Sequence, residues 1–382
     1  MRLGIVASEF FDPRIGRMGG FGWAARQVAR FFRSRPDLGV EVVFIGAGFT
    51  IPLPFLGTHI HDTPLIAFAS GKSYGKALED HMPDVCLTID YRHSYRKVLC
   101  SLPNTPVVVW VRDPRPVEVT ATLATLRIPG HGSSLSQGIK SIDYHSLVKV
   151  MDAQRRVLFA TPAPSLRKLA ERAYQCHLGK FIFLPNIVDL KPGKVTKHPK
   201  PRVIFLARHD PIKRPWLFVE LASRFPRVEF LMLGQSHFRG PGSWEPSSLP
   251  NNLVMVGHVD GEEKRKLLSS AWVLINTSIH EALATSFLEA LACETPLLCC
   301  TNQEELVSRF GIFTGRYDGD GMQSLPRFTI GLQKLLEDRD LRTSIGQRGR
   351  EWVEHTHNEE NFLAAFGELC GAAEIGIVAA ST

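Results

Sequence analysis

The sequence alternates short runs of β-branched residues with amphipathic segments from one end to the other. In the first half, strands are predicted at residues 3–7, 41–45, 85–89, 107–111, 157–160 and 181–184. Helical periodicity is found between them, at residues 21–33, 73–81, 144–155 and 164–173. This alternation is typical of βα units wound around parallel sheets. The sequence therefore predicts an α/β protein built from doubly wound, Rossmann-like domains.

Residues 185–201, PNIVDLKPGKVTKHPKP, interrupt the alternation with prolines and lysines and have no apolar period. The alternation then resumes, with predicted strands at 203–207, 229–233, 253–256, 272–275 and 296–299 and helices at 215–225, 262–270, 285–293 and 304–310. Residues 324–369 contain three further helical segments. A chain of 382 residues also suits two to three domains at roughly 150 residues each. We predict a first domain over 1–190, a linker over 191–201 and a second domain over 202–358.

Charge is distributed unevenly between the two halves. Residues 1–200 carry 27 Lys and Arg against 15 Asp and Glu, a net charge of +12, whereas residues 201–382 carry 18 against 23, a net charge of −5. A basic first half is expected to attract an anionic acceptor, phosphates or an anionic membrane surface, and a solvated charged face is the alternative. Aromatic residues do not alternate with basic ones in a stacking pattern, so a nucleic-acid partner is not predicted.

The seven cysteines include no C-x-x-C pair, and several lie in apolar runs such as PLLCC. They are interpreted as reduced core residues of a cytoplasmic protein without a zinc site. No apolar run approaches the ~18 to 20 residues of a membrane span. The N-terminal MRLGIVASEFF reaches Glu9 before an apolar signal region develops, so we interpret it as a first strand and not as a signal peptide.

Glycines are concentrated between the first strand and the first helix, at Gly16, Gly19, Gly20 and Gly22. Glycine lets the backbone approach a phosphate or a sugar, and a helix N-terminus favours negative charge. The spacing is not G-x-G-x-x-G, so a simple turn remains an alternative.

Two cations follow the first strand of the second half. The segment RHDPIKRP places Arg208 and Lys213 where a strand ends, at the edge of an open α/β sheet that binds ligands. An arginine fork and a lysine point charge suit a diphosphate. Two solvated loop cations are the alternative.

Two carboxylates lie in the segment SIHEALATSFLEALACETPLL. Glu281 is predicted in a loop and Glu289, eight residues later, inside the following helix, so that both project in similar directions. Ala284, Thr285 and Ser286 begin that helix and present backbone N–H groups to an anion. A helix with two solvated glutamates is the alternative.

Taken in order, these motifs resemble those of the retaining glycosyltransferases of family 4, which have the GT-B fold. The set comprises the glycine-rich loop, P-N-x-V-D, R-x4-K, L-x-L-G, V-G-H-V and E-x7-E with L-E-A-L-A-C-x-T-P. The resemblance covers essentially the whole chain and is strongest between residues 203 and 296. It implies two Rossmann-like domains that face a cleft, with the acceptor on the first, the nucleotide sugar on the second, and a C-terminal helix over 359–382 that returns to the first domain.

The resemblance also implies a role for each matching residue. Arg208 and Lys213 would hold the diphosphate together with the N–H groups of Ala284, Thr285 and Ser286, while Gly19 and Gly20 approach it from the first domain. Glu289 would bind the ribose hydroxyls and Glu281 the transferred sugar. The segment Gly257, His258 and Val259 would meet the base, with His258 more typical of a packing residue than of an acid or base.

The sequence departs from the family pattern at two places. The usual E-G-F-G loop is here Glu281-Ala282-Leu283-Ala284, so side chains replace two glycines. After the central strand of the first domain, Arg112 stands where the family has histidine. Arg112, Asp113 and Arg115 are candidates for binding an anionic acceptor, and His93 is a further candidate; alternatively, Asp113 pairs with a neighbouring arginine and His93 is structural.

The resemblance implies retaining transfer of a hexosyl unit from a UDP- or GDP-linked sugar to a hydroxyl of a saccharide, lipid-linked or small-molecule acceptor in glycan biosynthesis. Cations and amides can neutralise a departing diphosphate without a metal, so we expect metal independence and no cofactor. We expect a cytoplasmic enzyme, at most peripheral to the inner face of the membrane. Three alternatives remain: a nucleotide-sugar epimerase or hydrolase, a non-catalytic nucleotide-sugar-binding module, and a dinucleotide-dependent dehydrogenase, which lacks its G-x-G-x-x-G signature here.

Overall fold

The computed structural model describes residues 1–15, 18–48, 59–67, 78–130, 157–190, 195–236 and 242–373. The chain divides into two compact units. The N-terminal unit contains the described parts of 1–116, 141–187 and 357–382. The C-terminal unit contains those of 117–140 and 188–356.

The strands are short and largely buried. In chain order they are β1 Arg2–Ala7, β2 Glu41–Gly46, β3 His59–Ile60, β4 Thr63–Ile66, β5 Val85–Ile89, β6 Val107–Trp110, β7 Val157–Thr161, β8 Phe181–Phe183, β9 Arg202–Leu206, β10 Glu229–Leu233, β11 Leu253–Gly257, β12 Val273–Asn276, β13 Leu297–Cys299 and β14 Gly311–Phe313.

The helices alternate with these strands. They are α1 Gly20–Ser34, α2 Arg96–Cys100, α3 Val117–Ala124, α4 Leu166–Tyr174, α5 Pro215–Arg224, α6 Gly261–Ser270, α7 Thr285–Ala292, α8 Leu306–Phe310, α9 Leu325–Glu337, α10 Arg339–Thr356 and α11 Glu359–Ala372. Turns of 3-10 helix include Pro211–Lys213 and His93–Tyr95.

The sheet of the N-terminal unit has the described order β3-β4-β2-β1-β5-β6-β7-β8 and is parallel except for the β3–β4 pair. Helix α11 packs in this unit through aromatic rings: the ring of Phe362 lies 5.5 Å from Phe31, and that of Phe366 lies 5.1 Å from Phe32. The predicted return of the C-terminal helix to the first domain is therefore confirmed.

Among the described residues, the sheet of the C-terminal unit has the strand order β11-β10-β9-β12-β13-β14, and all its strand pairs are parallel. Phe218 on α5 packs on Phe205 and Phe230 of the sheet, with ring centroids 5.5 and 5.1 Å away. At Gly234 the end of β10 passes so close to the carbonyl of Ala207 that a Cβ would clash, and its φ of +119° is one that glycine adopts readily. This close approach brings the ends of β9 and β10 together.

The prediction of two doubly wound parallel-sheet domains with a helical C-terminus is confirmed. Every predicted strand is present, and the last three predicted helices are α9, α10 and α11. The short strands β3, β4 and β14 were not predicted, because they have too few residues to show a period of two. The predicted helix at 144–155 and residues 73–77 lie outside the described residues.

Two smaller features complete the fold. The seven cysteines, all within the described residues, form no disulfide, and five are buried. Cys100 is exposed, so the prediction that all belong to the core is wrong for it. Among the described helices, none has both the length and the apolar character needed to cross a membrane.

Candidate functional site

The strand order of the C-terminal unit reverses between β9 and β12. Strands β10 and β11 continue on one side of this pair, and β13 and β14 on the other. Ligands of open α/β sheets bind at such a switch point, outside the carboxyl ends of the strands. The loop after β9 carries Arg208 and Lys213, and the loop after β12 carries Glu281. The fold therefore brings these three predicted residues to one edge.

Glu281 and Lys213 form a direct ion pair. The Lys213 Nζ lies 2.6 Å from Glu281 Oε1, and the two side chains are 16% and 10% exposed. The same oxygen accepts hydrogen bonds from Ser278 Oγ at 2.6 Å and Asn276 Nδ2 at 3.0 Å. Burial alone would raise the pKa of Glu281, but the charge of Lys213 and these hydrogen bonds outweigh it and hold the pKa below its usual value. Glu281 is therefore an ionised hydrogen-bond acceptor at neutral pH.

Arg208 also has an acidic neighbour. Its guanidinium lies 2.9 Å from Asp210 Oδ2, and its side chain is 33% exposed. His209, between Arg208 and Asp210 in the sequence, is buried in the C-terminal unit. Burial lowers its pKa to about 4, although the charge of Asp210 opposes this shift. A guanidinium has five N–H donors and can therefore bind more than one acceptor.

The N-terminus of α7 lies in the loop after β12. Ala284 is the residue before the first turn, no side chain caps it, and Thr285 and Ser286 are partly exposed. Glu289, one turn further, pairs with Lys264 of α6 at 2.7 Å, and Lys264 also lies 3.5 Å from Asp260. The side chains of Lys264 and Glu289 are 9% and 15% exposed. The alternative of two solvated glutamates is therefore wrong, because both Glu281 and Glu289 are largely buried in ion pairs.

The end of β11 forms the third part of this edge. Gly257 has a φ of +86° and its carbonyl accepts a 2.7 Å hydrogen bond from the N–H of Gly234, which ties β11 to β10. His258 is exposed, and Val259 is 6% exposed. The backbone of this turn thus lies at the carboxyl end of the sheet, where the resemblance predicts contact with the nucleotide base.

In the N-terminal unit, the first turn of α1 is occupied by a side chain of the same unit. Glu9 Oε1 accepts hydrogen bonds from the N–H groups of Phe21 at 3.1 Å and Gly22 at 3.0 Å. A Cβ at Gly19 would clash with this carboxylate, which gives Gly19 a structural reason to be glycine. Gly20 is exposed at the helix start, and Gly16 lies outside the described residues.

The predicted acceptor-side residues differ in exposure. Arg112 is 5% exposed, stacks 4.5 Å over the Trp110 ring and donates its backbone N–H to Asp90 Oδ1 at 3.3 Å. Burial lowers the pKa of Arg112 to about 10, with the Asp90 charge opposing. Burial and the charge of Arg112 lower the pKa of His357 to about 3, so that imidazole is neutral.

The remaining three acceptor-side candidates lie nearer to solvent. Arg115 pairs with Asp113 at 2.6 Å, as the alternative interpretation of Asp113 stated, and the arginine side chain is 42% exposed. His93 is exposed in the 3-10 turn after β5. Exposure makes Arg115 and His93 more accessible to a ligand than Arg112.

Several residues that contact the predicted site residues were not predicted from the sequence, namely Glu9, Arg214, Lys264, Asn276 and Ser278. Asn276 is the last residue of β12 and Ser278 lies two residues later. Both are within five residues of Glu281 in the sequence, so their proximity to it could have been predicted. Lys264 and Arg214 gave no signal, because charged residues are rarely buried and nothing in the sequence distinguishes these two from solvated ones.

Among the described residues, no group of three His, Cys, Asp or Glu side chains is placed to hold a metal ion. Two D-x-D triplets are present in the sequence, at 318–320 and 338–340. Asp320 and Asp338 accept backbone hydrogen bonds from Met322 at 3.0 Å and Leu341 at 2.9 Å, respectively. These two aspartates therefore act in local turns at helix starts.

The edge of the C-terminal unit combines two cations, a helix N-terminus and two largely buried carboxylates. Cations and helix N–H groups bind phosphate oxygens, whereas carboxylates accept hydrogen bonds from hydroxyl groups. The chemistry therefore suits a ligand that has both phosphates and several hydroxyls.

Comparison with known proteins agrees with this chemistry. Residues 188–352 match the family Glycosyl transferases group 1, and this range includes every site residue of the C-terminal unit named above. No curated protein sequence is similar enough to the chain to count as a match.

Solved structures of the same fold cover nearly the whole chain. Sucrose-phosphate synthase from Thermosynechococcus elongatus has a TM-score of 0.70 at 15% identity, over 97% of this chain and 98% of its own. HepE of Anabaena, solved with UDP-glucose, has a TM-score of 0.69 at 14% identity, over 97% and 100%. WaaG, a glycosyltransferase involved in lipopolysaccharide biosynthesis, has a TM-score of 0.62 at 12% identity, over 98% and 100%.

Proposed function

Since this chain carries a glycosyl transferases group 1 domain on a GT-B-like fold, we propose that it is a retaining hexosyltransferase of family 4. It moves a hexosyl unit from a nucleoside-diphosphate sugar to an acceptor hydroxyl. The prediction of a glycosyltransferase enzyme is confirmed by the domain match. The observation that supports the finer proposal is the Lys213–Glu281 ion pair at the switch point, in which a cation lies beside an ionised carboxylate. In the proposal the cation binds the diphosphate and the carboxylate accepts hydrogen bonds from sugar hydroxyls.

Negative charge develops on the diphosphate as its bond to the sugar breaks. Arg208, Lys213 and the α7 N–H groups of Thr285 and Ser286 stabilise that charge, which is electrostatic catalysis by preorganised groups. Glu281 is ionised, so its role is to orient the sugar through its hydroxyls and not to donate a proton. In a retaining transfer the acceptor hydroxyl attacks from the face that the diphosphate leaves.

The nucleoside is proposed to lie between α7 and the end of β11. Glu289 accepts hydrogen bonds from the ribose hydroxyls, and the backbone of Gly257, His258 and Val259 meets the base. HepE was solved with UDP-glucose and with UDP, and this supports UDP ahead of GDP as the donor nucleotide. Gly19 and Gly20 are proposed as a further contact for the phosphates.

The acceptor is proposed to be a saccharide, a lipid-linked sugar or another hydroxyl compound with an anionic group, bound by the N-terminal unit. His93 and the Asp113–Arg115 pair are candidates for its contacts nearer to solvent, and Arg112, which is 5% exposed, is a buried candidate. A cytoplasmic location, peripheral to an anionic membrane surface, is proposed from the +12 net charge of residues 1–200. Flotation with anionic vesicles at low salt tests this, and the absence of retention refutes it.

The donor site is tested by a thermal-shift screen with UDP, GDP, ADP, TDP and their sugar conjugates. Ligand at about 100 Kd adds roughly 2.7 kcal/mol of stability, which gives a measurable rise in Tm. We expect one nucleotide class to raise the Tm, and Arg208→Ala and Glu289→Ala to reduce the rise. Arg202→Ala and Glu229→Ala are matched controls, because that ion pair lies at the opposite, amino edge of the same sheet.

Two further assays test the reaction itself. With the identified donor, an NMR spectrum of the product should show the anomeric configuration of the donor sugar, and the inverted configuration refutes retention. Turnover should be unchanged in EDTA, and its abolition refutes metal independence. If no nucleotide raises the Tm, the assigned donor residues are wrong.

A further inference from the structure

Arg214 follows Lys213 directly, and its side chain is turned in a different direction. Its backbone has a φ of +46° in the left-handed region, which is unfavourable for a long side chain. Its side chain is 0% exposed and runs into the C-terminal unit. A chain retains such a backbone and such a buried cation only where the surrounding contacts stabilise them.

The guanidinium of Arg214 makes hydrogen bonds to three separate segments. Nε donates to the carbonyl of Thr277 at 2.8 Å, Nη1 to that of Tyr317 at 2.8 Å, and Nη2 to Cys300 Sγ at 3.3 Å. Gly321 accommodates this group, since a Cβ there would clash with Nη1. The planar fork of an arginine can reach acceptors in such different directions, and a lysine ammonium cannot.

The acceptors of Arg214 are connected by further hydrogen bonds to Lys213 and Glu281, the two residues of the ion pair. The Thr277 hydroxyl donates to the carbonyls of Lys213 at 2.7 Å and Arg214 at 3.0 Å. The Cys300 thiol donates to the carbonyl of Ser278 at 3.2 Å, and the Ser278 hydroxyl donates to Glu281. Burial raises the pKa of the Cys300 thiol although Arg214 opposes it, so the thiol keeps its proton and remains a donor.

We propose that Arg214 is the positioning residue that holds the Lys213 loop against the Glu281 loop, and that selection of a nucleoside diphosphate over a monophosphate depends on it. This inference rests on the proposed function, because it assigns the diphosphate to Lys213. Arg214 acts through its neighbours and touches no part of the ligand. Its loss therefore affects the phosphate-dependent part of binding and leaves the nucleoside-dependent part, carried by Glu289, unchanged.

The test compares UDP and UMP affinities of wild-type protein and Arg214→Lys by calorimetry, well below the Tm of each. We expect Arg214→Lys to weaken UDP binding about 10-fold, the effect of one charge-assisted hydrogen bond, and UMP binding less than about 2-fold. A general loss of stability does not produce this difference, because both ligands are measured on folded protein. Arg202→Lys is the matched control: it lies at the amino edge and pairs with Glu229, and both affinities should be unchanged.

An unchanged UDP preference in Arg214→Lys overturns the inference, as does an equal loss of UDP and UMP affinity. If Arg214→Lys does not fold, Cys300→Ala removes one acceptor of the guanidinium and the donor to Ser278. It should weaken UDP binding about 3-fold relative to UMP, and an unchanged ratio then overturns the inference. If the thermal-shift screen identifies a nucleotide other than UDP, its diphosphate and monophosphate replace UDP and UMP in this test. Failure of the wild-type protein to bind any of UDP, GDP, ADP and TDP overturns the proposed function, which is a distinct result.

Discussion

Replacing Lys213 with methionine removes the charge that compensates the buried carboxylate of Glu281. Loss of one partner of a fully buried ion pair costs about 3 to 5 kcal/mol. Here Glu281 keeps the hydrogen bonds of Ser278 and Asn276 and is 10% exposed, so we expect Lys213→Met to lose about 2 kcal/mol at pH 7. In a unit of this size that corresponds to a fall in Tm of about 5 °C. The double variant Lys213→Met/Glu281→Gln should lose at most about 1 kcal/mol, because its amide carries no buried charge.

The pH dependence has a definite sign. In the wild-type protein the pKa of Glu281 is below its ordinary value of 4.5, so its contribution to stability is present above pH 4.5 and is lost as the pH falls through the folded pKa. In Lys213→Met, burial dominates and raises the carboxyl pKa, so stability is lost as the pH rises instead. The difference between the two proteins should therefore be largest near pH 7.5 and shrink toward pH 4.5.

Urea unfolding followed by tryptophan fluorescence measures these differences, since Trp216, Trp244, Trp272 and Trp352 lie in the C-terminal unit. Lys266→Met is the control, because Lys266 is exposed on α6, and it should change the unfolding free energy by less than about 0.5 kcal/mol. A similarly small loss for Lys213→Met, or a loss that is independent of pH, would refute the assigned role of the pair.

Three further predictions concern single side chains. Glu9→Ala should destabilise the N-terminal unit by about 1 kcal/mol in urea unfolding, because the first turn of α1 loses its carboxylate acceptor; an unchanged midpoint would contradict this. His357 has a folded pKa of about 3 against 6.5 for the free side chain, so it contributes stability above pH 6.5 that is lost as the pH falls toward 3. Between pH 6.5 and 3, the unfolding free energy of His357→Gln should consequently fall less steeply than that of the wild-type protein, by about 1 kcal/mol per pH unit. Lys264→Met should weaken UDP binding about 5-fold by releasing Glu289, measured by calorimetry, with Lys266→Met expected to bind as the wild-type protein does.

The prediction of the fold followed from local pattern. The β-branched runs that became β9, β10, β12 and β13 are readable because a buried parallel strand needs continuous apolar residues, and their alternation with helices permits little other than a doubly wound sheet. Strands β3, β4 and β14 were not predicted, because their two to four residues are too few to show the apolar pattern of a strand. Residues 117–124 also belong to the C-terminal unit by their contacts, which no local property of that segment indicated.

The sequence by itself determined that Arg208, Lys213 and Glu281 follow strands of one sheet, because the carboxyl ends of parallel strands share an edge. Only the tertiary structure decided which charges meet. Lys213 reaches Glu281 across 68 residues and Arg214 reaches Tyr317 across 103, distances along the chain that no helical or strand period spans. Those pairings depend on β9 lying next to β12 and on the buried contacts between their loops. Periodicity is a local property, whereas the partner of a buried charge is set by strand order and packing.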